Sequence, residues 1–231
     1  MTGLGTAVNC AAILLGCAVG LVFKKGFPEK WRETITYGMA LSIFLIGIQM
    51  AQKSQNLILI IISIVIGSMV GEALDLDGKL NRFGHWMEKK ILGDPVGTAT
   101  TFGQGFITAT LLYCIGAMAI VGSLEDGLND NYQILYTKAI LDGIFSVILS
   151  ATMGAGVALS ALPVGLYQGG MTFLALWLQN LLTPDIIAEV SATGGILIMS
   201  IGAVQARVVS IRLANQLPAL PAVAILAKLF L

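Results

Sequence analysis

The sequence predicts an all-α integral membrane protein, a polytopic bundle of about seven to eight transmembrane helices with a broken or re-entrant segment. Three observations predict it. Hydrophobic residues make up 56% of the 231 residues and charged ones 11%, against roughly 25% charged in a soluble domain. The 42 residues from Gly143 to Pro184 carry no charge, which suits two crossings at about 20 apolar residues each. Lys and Arg, finally, collect on one side of the implied membrane.

The elements follow in order. The first apolar run, residues 2–23, has no basic residue before it, and Lys24, Lys25, Lys30 and Arg32 come after it. A secretory signal places its basic residues first, so the run reads as a retained helix over 3–23 with its N-terminus outside. Helices over 34–51 and 55–71 follow. Residues 72–94 are charged, with Leu80, Phe83, Met87 and Ile91 at spacings of three and four. That segment reads as a cytoplasmic amphipathic helix on the membrane surface. A fourth span falls within 95–124, a fifth over 132–161, a sixth over 165–182 and a seventh over 188–206. The tail 213–231 holds Pro218, Pro221 and Lys228; it is a short eighth span or a re-entrant piece, and the span is favoured. The whole chain, 1–231, is expected to be one transmembrane domain.

With the N-terminus outside, Lys24, Lys25, Lys30, Arg32, Lys79, Arg82, Lys89, Lys90, Arg207 and Arg212 lie inside, and Lys53, Lys138 and Lys228 lie outside. One miscounted span would scramble this bias.

Between the fifth and sixth spans, Leu162-Pro163-Val164-Gly165 and Tyr167-Gln168-Gly169-Gly170 interrupt the apolar tract. An interruption at that depth is tolerated only inside protein or beside a wet cavity, and such breaks mark the central sites of transporters. Two echoes point to an internal, inverted duplication or to chance. Residues 13–20 resemble 64–71, each with a G-x-x-x-G pair, and Ile46-Gly47, Ile115-Gly116 and Ile201-Gly202 repeat an Ile-Gly step.

Lys138 and Asp142 stand one helical turn apart, and Ser146, Ser150 and Gly154 continue the stripe. Ionisable residues within a span face the protein interior or a watery path. The competing reading lets Lys138 reach the outer headgroups with Asp142 as its partner. Thr101, Gln104 and Thr108 share a face of the fourth span, as interhelical glue or as a pathway lining, and Gln168 in the break joins the same choice. Asn9, Gln49, Gln179 and Asn180 lie near the outer span ends, where headgroup hydration explains them.

Enzyme chemistry is not expected. The chain lacks G-x-S-x-G, H-E-x-x-H and a phosphate loop, and its one histidine, His85, falls in the amphipathic segment. Cys10, Cys17 and Cys114 read as packing thiols, with neither metal nor disulfide spacing. No cofactor or metal is expected, and a net charge of zero offers nothing to nucleic acid. The expected partners are the lipid bilayer, a small ion or small polar solute, and a second copy in a two-fold homo-oligomer.

Gly116-Ala117-Met118-Ala119-Ile120-Val121-Gly122-Ser123 and Lys138-Ala139-Ile140-Leu141-Asp142-Gly143 carry a resemblance. So do residues 162–170, Thr193-Gly194-Gly195-Ile196-Leu197-Ile198 and residues 211–220. Together they resemble the bacterial membrane family known as domain of unknown function 554. The resemblance covers essentially the whole chain. It implies a multipass inner-membrane protein with a transport role as the expectation, and supplies no substrate and no established site. One departure is visible. Where that family tends to have Asn after the Ile-Gly step of the seventh span, this chain has Ala203, Val204 and Gln205, so a ligand role for that Asn is not carried over.

The readings to be tested are therefore a small transporter or channel-like protein and, as the alternative, a non-transporting scaffold acting through helix packing. Convergence of Asp142, Gln168, Gln104 and Thr108 on one site separates the two.

Overall fold

The computed structural model describes residues 2–24, 29–92 and 100–230, and these form helices joined by short turns, with no strand among them. The helices are α1 (Leu4–Lys24), α2 (Glu29–Ala51), α3 (Leu57–Leu74), α4 (Leu76–Leu92), α5 (Thr100–Cys114), α6 (Ala117–Asn129), α7 (Gln133–Met153), α8 (Gly156–Leu159), α9 (Ala161–Phe173), α10 (Ala175–Leu178), α11 (Pro184–Gln205) and α12 (Ala219–Phe230). Six of the helical segments are long and apolar enough to cross a membrane, the last of them Leu213–Phe230 with its opening 3-10 turn, and the bent pair α5–α6, a broken span or a re-entrant loop, brings the number to seven if it counts as one span. The protein is thus an all-α, polytopic membrane protein.

Local chemistry explains several boundaries. Thr183 caps α11, its hydroxyl accepting from Ile186 N at 3.4 Å, with Pro184 in the first turn and Asp185 beside the free N–H groups. Asp75 takes a left-handed conformation (φ 47°) and ends α3. Gly154 (φ 92°) ends α7, at an angle that suits only glycine without strain.

Two expectations about interruptions are corrected. Residues 162–170 are not a break but lie within α9. Pro163 sits in the first turn of that helix, where its missing N–H has no intrahelical partner to lose. The interruptions fall instead at Gly154–Ala155, at Ser160 and after Phe173. The fourth span, expected to be continuous, is broken: Phe102–Cys114 and Met118–Asn129 meet at 58°. The segment 72–94 divides likewise, since α3 continues through Glu72 and α4 forms the amphipathic helix from Leu76.

The chain divides into two compact units. Unit 1 comprises Met1–Glu33, Gly78–Cys114 and Met118–Leu176. In it α1 runs parallel to α7, Gly5 abutting Leu135, Gly16 abutting Gly143 and Gly20 abutting Val147 and Ser150. α9 runs antiparallel to α1, with Gly165 beside Cys10 and Gly169 beside Thr6. The bent α5–α6 pair runs from Phe102, against Gly156, to Gly127, against Thr172. The 13 residues of α9 rise about 20 Å. With α8 before it, the segment runs from Gly156, beside Phe102 of α5, to Phe173, beside Gly3 at the start of α1. At the Gly3 end, the fully buried Asp126 accepts from Gly3 N at 3.0 Å and Gly5 N at 3.2 Å, satisfying the opening of α1.

Unit 2 comprises Thr34–Asp77, Ile115–Ala117 and Trp177–Leu231. α2 and α11 pack antiparallel through glycine, Gly47 against Gly195 and Gly202 against Ala40 and Phe44. α3 lies antiparallel to the final span, Gly67 against Ala219 and Gly71 against Asn215. Leu59, Ile186, Val223 and Ala227 form its apolar core. Glu189, buried, caps the α2–α3 turn by accepting from Ser54 Oγ at 2.6 Å, Gln55 N at 2.8 Å and Asn56 N at 3.1 Å. At the other end of α3, Asn215 Oδ1 accepts from Asp77 N at 2.8 Å, and Arg212 pairs with Glu72 at 2.9 Å. Both echoed G-x-x-x-G faces are close-packed, one on a parallel and the other on an antiparallel neighbour.

Candidate functional site

Unit 1 holds the site. α7 presents Lys138, Asp142, Ser146 and Ser150 in steps of four, and all four are buried. The Lys138 ammonium donates to Asp142 Oδ2. Lys138 is only 4% exposed and is enclosed by protein; the reading in which it extends to the headgroups does not fit that burial. From α1, Asn9 Nδ2 donates to Asp142 Oδ2 at 3.0 Å and to Gln168 Oε1 at 3.2 Å. From α5, the Tyr113 ring lies 5.8 Å from Lys138 Nζ, a cation–π distance, and its hydroxyl shares a hydrogen with Ser146 Oγ at 2.8 Å. Ser150 Oγ donates within its own helix to Ser146 O at 2.6 Å and reaches Cys17 O on α1 at 3.3 Å.

Four helices therefore build one polar cluster around an ion pair, with Asn9 and Gln168 each fully buried. The negative oxygen decides how the amides point. Asn9 must turn its NH2 toward the carboxylate, so Gln168 must turn its carbonyl toward Asn9. Asn9 Oδ1 and Gln168 Nε2 are then left without partners among the described residues, as are Thr6 Oγ1 on α1 and Thr172 Oγ1 on α9. Unsatisfied buried polar atoms are costly in a protein interior and more so at membrane depth.

The structure thus brings together Lys138, Asp142, Ser146 and Gln168. Thr108 is buried on α5 of the same unit. Gln104 is exposed and stands apart from the cluster. The side chain of Thr101 lies outside the described residues, as does that of His85. Asn9, read from sequence as a headgroup-level residue, is the link between Asp142 and Gln168, and Tyr113 was not singled out at all. Position in the span misled for Asn9. Its partners are 133 and 159 residues away along the chain, and α1 by itself carries no sign of them. Gln49, Gln179 and Asn180 are exposed.

The family described as Protein of unknown function (DUF554) matches residues 4–228. The chain belongs to this family. It is similar to the "Uncharacterized membrane protein YdfK" of Bacillus subtilis (strain 168), 32% identical over 220 residues, which cover 94% of this chain and 92% of that protein. It is also similar to the "Uncharacterized protein YqgA" of Escherichia coli (strain K12), 26% identical over 225 residues, covering 94% of this chain and 93% of that one. No solved structure matches it. The DUF554 assignment, the membrane-protein relative and the apolar helices agree on a multi-spanning membrane location.

Proposed function

We propose that the protein is a small transporter or channel-like protein that carries a small ion or small polar solute across the cytoplasmic membrane, with its N-terminus outside. The observation that carries this reading is the sealed Lys138–Asp142 pair tied through Asn9 to Gln168. A packing role alone does not require it. Apolar side chains of similar volume usually stabilise as well as a buried ion pair does, and ionisable groups at membrane depth are rare outside ion and substrate pathways. The bend between α5 and α6 supports the same reading, because broken helices border the sites of many transporters.

The α8–α10 segment then supplies an eighth crossing, which keeps the basic residues on the inner side. A non-transporting scaffold is the second reading, but the G-x-x-x-G faces that favoured it from sequence are occupied by α7 and by the final span within the chain. A two-fold homodimer stays part of the proposal, built from other faces than these.

The test is flux of an ion and metabolite panel into proteoliposomes. Asp142→Asn and Gln168→Ala should each abolish net flux per folded molecule. Asp142→Asn also strands the buried Lys138 ammonium and should lower thermal stability in detergent, whereas Gln168→Ala should leave it nearer the parent's. If both variants lose stability while activity per folded molecule is unchanged, the cluster is structural glue.

A further inference from the structure

We infer that the buried cluster of unit 1 couples one proton to one small monovalent anion, the anion taking the place of Asp142 as counter-ion to Lys138 when Asp142 is protonated. This rests on the transport reading above and names its substrate class.

The charge balance leads there. In the structure the Lys138 ammonium is matched by the Asp142 carboxylate, and both residues are buried. The titratable groups that interact with Asp142 among the described residues are Lys138 on its own helix, Cys10 on α1, and Tyr113 and Cys114 on α5, with Cys17 beside Ser146 and Ser150 and Tyr167 on α9 coupled to Cys114 one step further out. Within that set Asp142 is the one carboxylate. When a proton from solvent adds to it, the acid is neutral and the ammonium is left in a low-dielectric interior without a counter-charge. A buried unpaired charge is strongly disfavoured. Occupation by one monovalent anion restores neutrality, so proton and anion enter and leave together. The site has zero net charge both empty and loaded.

The unpartnered atoms fit this exchange. Antiparallel α1 and α9 set Thr6 and Asn9 opposite Gln168 and Thr172. Gln168 Nε2 is a fixed donor, and the Thr6 and Thr172 hydroxyls can donate; all three are buried and without partners among the described residues. Such donors suit an anion beside an ammonium and oppose a cation there. Asn9 Oδ1, the remaining free atom, is an acceptor. Once Asp142 carries a proton, Asn9 can turn its amide and accept from the new O–H. Asn9 therefore has a hydrogen bond to offer in both protonation states, as an exchanging site requires.

The test uses the full chain in proteoliposomes with radiolabelled chloride and with nitrate, against sodium and glycerol as cation and neutral probes. Uptake of an anion should be driven by an inward proton gradient, with one proton entering per anion by an internal pH dye. A gradient of one pH unit should hold the anion about ten-fold above its outside concentration, and a potassium potential set with valinomycin should not change the rate. Asp142→Asn, a mimic of the protonated acid, should keep anion-for-anion exchange and lose the response to pH. Lys138→Met should lose both, and Lys138→Arg should restore exchange. If Asp142→Asn does not fold, the proton-to-anion ratio and the voltage response of the parent decide the matter alone. Anion flux that carries net charge overturns the inference, as does flux of sodium or glycerol without anion coupling, although these leave the transport reading standing. Absence of flux for every probe removes both.

Discussion

Asn9 shows how much a single side chain decides here. Its amide reaches two partners from two other helices, and one of those partners is charged. A hydrogen bond to a charged group contributes about 1.5–3 kcal/mol, and removing it also strands Gln168 Oε1. Asn9→Leu keeps much of the volume and should destabilise the protein by about 2–4 kcal/mol, read as a lower unfolding midpoint in detergent, with loss of flux. If stability and flux are both unchanged, the cluster is not held together through α1. The members of the site on α7 were legible in sequence because helical periodicity is intrinsic to one segment, and a Lys and an Asp one turn apart must share a face. The contributions of Asn9 and Tyr113 were not. They depend on which helices become neighbours, and local pattern carries no such information.

Among elements, the glycines separate contact from decoration. A methyl group on Gly71 would overlap the Asn215 carbonyl, and one on Gly67 the backbone of Ala219. One on Gly170 would meet nothing within 4 Å. Gly71→Ala should therefore force α3 away from the final span and lower stability by about 1–3 kcal/mol. Gly170→Ala should be neutral or raise it by about 0.5–1 kcal/mol through helix propensity. Thermal unfolding of both variants in one detergent checks the contrast, and equal effects would refute the close packing at Gly71. The helices themselves were largely readable from apolar length. Their interruptions were not, because Pro163 and its neighbouring glycines look like a breaker in sequence. A proline in the first helical turn breaks nothing, while Ile115-Gly116, whose Ile-Gly step recurs unbroken within α2 and α11, mark a 58° bend.

For the whole molecule, the distribution of Lys and Arg implies that the α6–α7 turn and the end of α4 lie on opposite sides of the membrane. Asn131 and Lys90 are both exposed at these places. Cysteines placed there should react with an impermeant maleimide from opposite sides, Asn131→Cys in intact cells and Lys90→Cys only after permeabilisation. Labelling of both in intact cells would end this topology. The class of the protein was plain from composition, since charged residues at 11% cannot clothe a soluble surface of this size. Its division into two compact units was not. The stretches 34–77 and 177–231, which make up most of unit 2, are separated by 99 residues that, apart from Ile115–Ala117, belong to unit 1.

The placement of Lys138 and Asp142 on one helix also bears on how the chain is made. A lone charge at the centre of a nascent span adds about 2.5–3.5 kcal/mol to the cost of leaving the translocon. Two charges one turn apart are matched as soon as α7 coils, before any neighbour has arrived. The helix can then enter lipid as a dipole, and the later helices close around a pair that is already formed. Had the same two residues been divided between α1 and α7, each would have had to wait in the bilayer for the other.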